Sequence, residues 1–387
     1  MTISAVAIST NTSATFAGKE ICEELMKTFE QKCPHVLLVF ASSQYDFQTL
    51  LQSLDDNIHP DILIGCSSAG EFTDQIREEG AVCAVGIWSD KLKFSASVGL
   101  GLRGQMSHAA EQIASQFIGL NRHDYRYHTA MVLTDALAGY TDDFIQALTV
   151  KTQGKYQLVG GGAGDDAKFT ETHVFLGREV YKDAAVALEI LSNQPVGIGF
   201  KHGWEPASLA MRVTEAEGSC LISINGAPTI EALRDFAEQS GQTFDTTDPL
   251  PFFLHNVIGI KTSNGHKLRV PLAVNEDGSI ACASTIPVGS TIHIMRTSHA
   301  SAAEAAAHAA EMALSQLNGN QPKVAIFFDC VATRLRMGLD FDMELKTLSK
   351  SLNGAEFVGC NTYGQIARVD GQFSGFHNCT AVACLLP

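Results

Sequence analysis

Three stretches of this sequence share one pattern, and that pattern decides the fold class. They are Asp61-Ile-Leu-Ile-Gly-Cys-Ser-Ser-Ala-Gly-Glu71, Tyr156-Gln-Leu-Val-Gly-Gly-Gly-Ala-Gly-Asp-Asp166 and Glu356-Phe-Val-Gly-Cys-Asn-Thr-Tyr-Gly-Gln365. In each, a short apolar run ends in glycines and small polar residues, as a buried strand does when it turns into a loop. We name the loops by their residues: loop one (65–71), loop two (160–166) and loop three (359–365).

Each stretch belongs to a longer unit that occurs three times. The first strands of the units begin at His35, Ala130 and Val324, and the last strands are predicted over 81–88, 183–190 and 378–386. Short helices are predicted over 46–54, 141–148 and 340–348, and longer amphipathic helices precede the units over 16–29, 107–117 and 301–317. We therefore predict a multilayered α/β fold with three strand–helix–strand–glycine loop–strand repeats related by pseudo-symmetry.

The region 194–298 lacks the repeat and predicts a β-rich insertion. Apolar stretches at 196–200, 209–214, 268–274 and 291–295 alternate with the turn signals Asn225-Gly226, Asn264-Gly265 and Asp277-Gly278. A helix is predicted over 229–239, directly after Ala227-Pro228. We place a domain boundary there, between 1–228 and 229–387.

The composition argues against several classes of partner. The 387 residues include 27 Lys and Arg against 42 Asp and Glu, a net charge of −15. Nucleic acids and anionic membrane surfaces are bound by basic surfaces, so we predict neither as a partner. No apolar run reaches the length of about 18 residues that a membrane span needs. The ten cysteines are scattered and several lie in apolar runs, which favours a cytoplasmic protein.

The three loops carry groups that suit a small polar ligand. Loop one offers Ser67, Ser68 and Glu71, loop two offers the backbone of Gly161 and Gly162 with the carboxylate of Asp165, and loop three offers Asn361, Thr362 and Tyr363. Glycines let a backbone approach a ligand closely, and ligands of open α/β sheets lie at strand ends. We predict one shared site, either for a ligand with an amine and a carboxylate or at the rim of a cofactor pocket. The alternative is that the glycines only form tight turns beneath packed strands.

Two other kinds of chemistry stay open at the level of the sequence. Cys66 and Cys360 are candidate thiolate nucleophiles, although no sequence feature supplies a base. A haem iron needs an axial ligand, usually an imidazole, in an apolar pocket. His377, His202 and His255 lie next to aromatic residues and are candidates, while each also suits a structural role.

Several segments resemble the FIST family. They are Ile64-Gly-Cys-Ser-Ser-Ala-Gly-Glu71, Val159-Gly-Gly-Gly-Ala-Gly-Asp-Asp166, His202-Gly-Trp204, Val213-Thr-Glu-Ala-Glu-Gly218, Ile224-Asn-Gly-Ala-Pro228, Asp329-Cys330 with Arg334, and His377-Asn-Cys-Thr380. Their order covers nearly the whole chain. The resemblance implies an N-terminal FIST domain over 1–228 and a C-terminal one over 229–387, and it places the family's arginine, as a ligand-binding residue, at Arg334.

The resemblance also implies a function. FIST proteins look like cytoplasmic sensors that bind a small ligand and act on a signalling partner. A stand-alone bacterial subset senses nitric oxide, a diatomic gas, through haem b and regulates a separate histidine kinase or cyclic-di-GMP enzyme. We therefore expect a regulator rather than an enzyme, with haem b held by His377 or, alternatively, by His202 or His255. The alternatives are a haem-free sensor of an amino acid or metabolite, and a thiol- or carboxylate-dependent hydrolase.

Overall fold

The computed structural model describes residues 1–29, 32–75, 77–369 and 375–387. Within these residues the chain forms three six-stranded sheets and one nine-stranded sheet, with helices between the strands. This confirms the predicted multilayered α/β fold. No helix in the described part of the chain combines the length and the apolar character that a membrane crossing demands.

The elements of the first two units follow the predicted order. The first unit contains β1 (Thr2–Ser9), α1 (Ala14–Phe29), β2 (Val36–Ser42), α2 (Phe47–Ile58), β3 (Ile62–Ser68), β4 (Glu71–Thr73), β5 (Arg77–Glu78) and β6 (Val82–Ser89). The second contains β7 (Leu92–Leu100), α3 (Leu102–Gln116), β8 (Tyr127–Thr134), α4 (Thr141–Lys151), β9 (Gln157–Gly162), β10 (Val174–Leu176), β11 (Glu179–Tyr181) and β12 (Ala184–Ser192).

The third unit is interrupted by the insertion. It opens with β13 (Gly197–Lys201). The insertion contains β14 (Glu205–Pro206), β15 (Met211–Glu217), β16 (Cys220–Ile224), β17 (Ala227–Pro228), α5 (Thr229–Ser240), α6 (Leu250–Phe253), β18 (Val257–Thr262), β19 (Gly265–Arg269), β20 (Pro271–Val274), β21 (Ile280–Cys282) and β22 (Thr291–Arg296). The unit resumes with α7 (His299–Gln316), β23 (Val324–Cys330), α8 (Val331–Met337), α9 (Phe341–Ser351), β24 (Glu356–Thr362), β25 (Gln365–Arg368), β26 (Phe376–His377) and β27 (Ala381–Leu386).

The position of β13 corrects one prediction. The sequence placed the strand over 196–200 in the β-rich insertion, but β13 pairs with β27 in the sheet of the third unit. It is the counterpart of β1 and β7, which occupy the same edge position in the first two sheets. The assignment was wrong because the insertion separates this strand from the rest of its unit.

The three units are interlocked by an exchange of hairpins. The four strands of each unit lie in the orders β1-β6-β2-β3, β7-β12-β8-β9 and β13-β27-β23-β24, with the last two of each order parallel. The hairpin β4–β5 of the first unit extends the third sheet, β10–β11 of the second extends the first sheet, and β25–β26 of the third extends the second sheet. The exchange forms a closed cycle, so each sheet is completed by a neighbouring unit.

All three sheets share one central core. Along β2, Val36, Leu38 and Phe40 face this core, whereas the alternating residues Leu37 and Val39 face α1 and α2. The other two sheets contribute in the same way, and the rings of Phe40 and Phe328 meet edge to face with their centroids 5.7 Å apart. The helices therefore lie outside and the sheets inside.

A glycine recurs at one register position of each parallel strand pair. These glycines are Gly65, Gly160 and Gly359, and a Cβ at any of them would lie 2.0–2.1 Å from a carbonyl oxygen of the neighbouring strand. No larger side chain fits at that separation. The first glycine of each loop is thus explained by strand contact.

Candidate functional site

The structure brings the three glycine-rich loops together. Loops one and three exchange hydrogen bonds, since Ala69 N donates to Asn361 O at 3.0 Å and Asn361 N donates to Gly70 O at 2.9 Å. Loops three and two do the same, because Tyr363 N donates to Gly162 O at 2.9 Å and Gly162 N to the carbonyl oxygen of residue 364 at 2.9 Å.

The contact between loops two and one closes the ring. Gly164 N donates to Ser67 O at 2.9 Å, and Asp166 N donates to Ser68 O at 3.1 Å. Segments that lie far apart in the sequence therefore meet at the carboxyl ends of the three parallel strand pairs. The hairpin exchange contributes to this proximity, since β4 and β25 begin at the last residues of loops one and three, and β10 follows loop two after a short connection.

The predicted glycines of loop two face loop three at close range. A Cβ on Gly161 would lie 2.8 Å from Thr362 Cγ2, and one on Gly162 would lie 2.6 Å from Tyr363 O. Thr362 is fully buried, and its hydroxyl donates to Asp329 O at 3.1 Å. At these positions the loops contact each other directly.

Several other predicted side chains bond within the protein. Ser67 Oγ accepts from His173 N at 2.9 Å, and the carboxylate of Asp165 accepts from the Tyr363 hydroxyl and from the backbone N–H groups of residues 169–171. Burial opposes ionisation of Asp165, but these donors together lower its pKa. Asp165 therefore holds loops two and three together as an anion.

Glu71 is a buried carboxyl group in loop one. Its side chain accepts from the Ser68 hydroxyl and from Ala81 N, the latter at 3.1 Å. Burial raises the pKa of Glu71 to about 8, with a further contribution from Asp166, while Ser68 and Arg334 act in the opposite direction. Glu71 is therefore largely protonated at neutral pH.

A second group of buried polar side chains lies next to the ring, at the carboxyl end of the third sheet. We call it the buried polar cluster: Asp329, Arg334, Arg336, Glu344 and Asn361. Each is at most 9% exposed. Asp329 ends the apolar part of β23 and pairs in register with Asn361 of β24, so both side chains leave the same face of the sheet. The two arginines come from α8, and Glu344 comes from α9.

The cluster contains polar atoms that have no hydrogen-bond partner among the described residues. They are Asp329 Oδ2, Glu344 Oε2, the Nε atoms of Arg334 and Arg336, and both amide atoms of Asn361. Buried polar groups are nearly always bonded, so unpartnered ones indicate a site for water, an ion or a ligand. Six such atoms in one cluster make this the candidate ligand site.

Burial controls the charges in the cluster. It raises the pKa of Asp329 well above its usual range, and the nearby Glu344 and Cys330 add to the shift. Burial likewise raises the pKa of Glu344 to about 8, against the influence of Arg336. Arg334 forms an ion pair with Glu79. The guanidinium carbon of Arg336 lies over the Trp204 ring, 5.6 Å from the ring centroid. The cluster thus combines two guanidinium groups with two carboxyl groups that hold their protons.

The chemistry of the cluster suits a ligand with both charges. Guanidinium groups bind carboxylates through paired N–H donors. The two carboxyl groups could each accept from an ammonium group once ionised, and the Asn361 amide can donate and accept. Asp329, Arg336 and Glu344 were not among the predicted ligand-binding residues. Glu344 could have been found, because it lies on the apolar face of α9 among Phe341, Leu345 and Leu348.

The three candidate haem ligands differ in how their rings are used. His202 bonds through both ring nitrogens, from Nε2 to His266 O at 2.9 Å and at Nδ1 with Trp204 N at 3.3 Å. His377 is half-buried against Phe200, and its Nε2 donates to Ala367 O at 3.0 Å. Burial lowers the pKa of His377 to about 4.

His255 is the candidate with the most open ring. It is exposed, and no hydrogen bond within the described residues engages its imidazole. Burial of part of the ring lowers its pKa, and Arg336 and Arg296 contribute. An axial ligand needs a free ring nitrogen, so His255 fits that role better than His202 does. Across the described ranges, no group of three or more His, Cys, Asp or Glu side chains is arranged for a metal ion.

An open cavity lies at the opposite end of the first and second sheets. Its volume is about 890 Å³, and its lining includes His35, Asp61, Lys91, Lys93 and Tyr125. None of the lining residues described belongs to the three loops. The cavity faces the strand starts, such as that of β3, and is separate from the buried polar cluster.

The fold defines an α/β protein built from three interlocked units, with the buried polar cluster at the carboxyl end of the third sheet. The family model for the FIST N domain matches residues 35–227, and the model for the FIST C domain matches residues 231–368. The chain therefore belongs to the FIST family. FIST domains are small-ligand sensory domains of signalling proteins.

Two further comparisons describe relatives of the chain. It is 25% identical over 308 residues to the uncharacterized protein MJ1623 of Methanocaldococcus jannaschii, an alignment that covers 72% of this chain and 57% of that protein. The chain thus spans little more than half the length of this relative. It is also similar to a solved structure of cyanuric acid hydrolase from A. caulinodans, with 7% identity, a TM-score of 0.33 and coverage of 100% and 99% of the two chains. A likeness at that level carries no argument about function.

Proposed function

We propose that this protein is a sensor that binds a small zwitterion, such as an amino acid, in the buried polar cluster and passes the bound state to a signalling partner. The observation that carries the proposal is the set of unpartnered buried atoms on Asp329, Arg334, Arg336, Glu344 and Asn361. Leaving such groups without a partner destabilises a protein by about 1–3 kcal/mol each. A ligand that bonds to them would remove that penalty and favour the bound conformation.

The cluster assigns each end of the ligand to a different pair of side chains. The carboxylate of the ligand would lie against Arg334 and Arg336, and its ammonium group against Asp329 and Glu344. Both carboxyl groups hold their protons in the free protein because burial raises the pKa of each. A bound ammonium group favours the ionised form, so ligand binding would release protons.

The covering helices supply a route from the site to a partner. Arg334 and Arg336 lie in α8, Glu344 lies in α9, and Gly338 between the helices has a left-handed φ of 56°. Leu339, next to this turn, is 89% exposed. A ligand that stabilises one arrangement of α8 and α9 would change the surface around Leu339. A separate histidine kinase or cyclic-di-GMP enzyme is the proposed partner.

The free thiols support a cytoplasmic location for this sensor. All ten cysteines are unpaired in the structure. Disulfides are rare where glutathione and thioredoxin keep thiols reduced. Fractionation of the native cells would test the location.

Calorimetry with a panel of amino acids, and of amines and carboxylates that carry only one charge, tests the proposal. We expect one or more zwitterions to bind, with an enthalpy that depends on the ionisation enthalpy of the buffer because protons are released. Arg336→Gln and Glu344→Gln should each weaken binding at least tenfold, about 1.4 kcal/mol. The exposed Lys350→Gln serves as the matched control. Equal affinity in all four proteins, or no binding by any zwitterion, would contradict the proposal.

A haem-based sensor of nitric oxide is the second proposal. Its support is the open ring of His255 beside the aromatic pair Phe252 and Phe253. We rank it second because His202 and His377 use ring nitrogens in hydrogen bonds. Bound haem b would supply an iron atom for a diatomic gas, and His255 would hold it. A Soret band after addition of hemin that is absent in His255→Ala supports this version, and no band in the wild-type protein argues against it.

A further inference from the structure

Two cysteines lie side by side at the edge of the buried polar cluster. Cys330 ends β23 and Cys379 lies two residues before β27. These strands pair antiparallel with Phe328 opposite Val382, and continuing that register brings Cys330 to the level of residue 380. Cys330 and Cys379 are 3% and 4% exposed and belong to the same small apolar cluster as Trp204. The two cysteines therefore lie in one buried cluster, at nearly the same level of adjacent segments of the chain.

Four neighbouring donor groups lower the pKa of the Cys330 thiol. The first is the thiol of Cys379, and the others are the backbone N–H groups of Ala332 and Cys379 and the side-chain amide of Gln365. These donors lower the pKa of Cys330 to about 6, against the effect of burial. The same bond and burial raise the pKa of Cys379 well above its usual range. The pair thus contains one thiolate and one thiol at neutral pH.

We propose that Cys330 and Cys379 form a peroxide-reactive dithiol, in which Cys330 is the attacking sulfur and Cys379 the resolving one. The Cys330 thiolate attacks one oxygen of hydrogen peroxide, so that an S–O bond forms and the O–O bond breaks. With a proton from solvent, the products are a sulfenic acid and one water molecule. The Cys379 sulfur then attacks the sulfenic sulfur, forming the S–S bond and breaking the S–O bond. The hydroxyl group leaves with the Cys379 proton as a second water molecule, so the sulfurs are oxidised and the peroxide is reduced.

Several other buried cysteines have a raised pKa and not a lowered one. Cys83 and Cys360 lie in the central core, and burial raises the pKa of both thiols well above the usual range. Burial also raises the pKa of Cys282 and Cys384 to about 12. A thiol rather than a thiolate is a poor nucleophile, so these positions should stay reduced under mild peroxide.

The inference does not depend on the proposed ligand, although the two sites adjoin. Asp329 precedes Cys330 in β23. Burial lowers the pKa of Arg336, and the nearby Cys379 acts in the opposite direction. Formation of the disulfide would remove the negative charge of Cys330, which contributes to the raised pKa of both Asp329 and Glu344. Zwitterion binding and disulfide formation can be measured separately, so the failure of one leaves the other intact.

Peptide mapping of the full-length chain after peroxide treatment tests the inference. Cys33, which is exposed, and Cys220, which is half-buried, are first replaced by serine to remove other accessible thiols. Mild hydrogen peroxide, alkylation and non-reducing digestion should then give a linked peptide pair with Cys330 joined to Cys379 and two hydrogens lost. Cys379→Ser should instead give a sulfenic acid at Cys330 that dimedone traps. Cys330→Ser should leave Cys379 reduced, and Cys384→Ser should behave as the parent.

Two results would overturn the inference. One is that peroxide leaves Cys330 and Cys379 reduced in the parent, so that both are fully alkylated afterwards. This measurement does not depend on the folding of any variant at either cysteine. The other is that peroxide links a different pair, such as Cys66 with Cys360. The alkylation rate gives an independent check: Cys330 should react with iodoacetamide faster than Cys384 at neutral pH and slow down as the pH falls through about 6.

Discussion

Tyr363 of loop three donates its hydroxyl hydrogen bond to the carboxylate of Asp165 in loop two, although the two residues are 198 positions apart in the chain. The Tyr363 ring also stacks on Phe169, with centroids 4.6 Å apart and an interplanar angle of 16°. The pair ties the second unit to the third at the point where the loops meet. It acts together with the backbone bonds that close the ring.

Replacement of Tyr363 by Phe should loosen this junction without removing the ring stack. Asp165 would keep its backbone donors but lose the hydroxyl, and the loss of one hydrogen bond to a charged group lowers the free energy of unfolding by about 1.5–3 kcal/mol. Urea unfolding measures the change. Tyr140→Phe, at an exposed position, is the control and should leave the midpoint unaltered. A Tyr363→Phe protein as stable as the wild type would contradict the role given to this bond.

Gly161→Ala should destabilise the contact between loops two and three. Its added Cβ would lie 2.8 Å from Thr362 Cγ2, while the backbone of Gly161 lies outside the left-handed region, so the effect comes from side-chain contact. Overpacking of this kind lowers the free energy of unfolding by about 1–3 kcal/mol. Thr362→Ala alone should also destabilise, since it removes the hydroxyl bond to Asp329 O.

The double variant provides the decisive measurement for that contact. If Gly161 and Thr362 touch, Gly161→Ala should be less damaging when residue 362 is already alanine, and the double-mutant cycle should give a coupling above about 0.5 kcal/mol. Strict additivity of the two changes would show that the loops do not meet there.

The repeated pattern made much of the fold predictable. The apolar run followed by Gly65, Gly160 or Gly359 marks the second strand of each parallel pair, because a Cβ would meet the neighbouring carbonyl at this position. The short helices were confirmed as α2, α4 and α9. The hairpin exchange could not be predicted, since a strand as short as β4 carries no signal that says which sheet it joins.

The candidate site was less predictable than the fold. Arg334 and Asn361 were expected, but the expected partners in loop two instead contact loop three. Asp329 was not predicted because it continues the apolar strand β23. Glu344 was not predicted because it belongs to α9, and only the structure shows where this helix lies over the sheet. A charged residue within an apolar strand or face is the signal that would have identified both.

The stabilisation contributed by Glu71 and Glu344 should fall as the pH rises from about 4.5 to about 8. The pKa of each is about 8 in the folded protein, against an ordinary value of 4.5. Within this window the unfolded chain gives up the protons while the folded chain keeps them, so unfolding is favoured by up to about 1.4 kcal/mol per pH unit for each group. Above the folded pKa the effect levels off.

Two glutamine variants isolate this pH effect. Glu71→Gln and Glu344→Gln should each flatten the fall in unfolding free energy between about pH 5 and about pH 8, measured with urea at a series of pH values. Glu23→Gln, at an exposed site, should follow the wild-type curve. A glutamine variant whose curve stays parallel to the wild-type curve would refute the assignment of a protonated carboxyl group at that position.

Asp142→Ala should weaken the contact between the insertion and the second unit. The carboxylate of Asp142 at the start of α4 accepts from Lys267 Nζ and from Arg269 Nη2, both at 2.9 Å, and Arg269 is 2% exposed. Removal of the carboxylate would leave two cations close together in a buried position. Breaking a fully buried pair lowers the free energy of unfolding by about 3–5 kcal/mol, and the effect here should be smaller because Asp142 is 22% and Lys267 19% exposed. Asp143→Ala, at the exposed neighbouring position, is the matched control and should change stability by less than about 0.5 kcal/mol.

Because the junction lies between units, hydrogen exchange in Asp142→Ala should rise first in β19 and α4. A rise confined to the central core would contradict this role of Asp142.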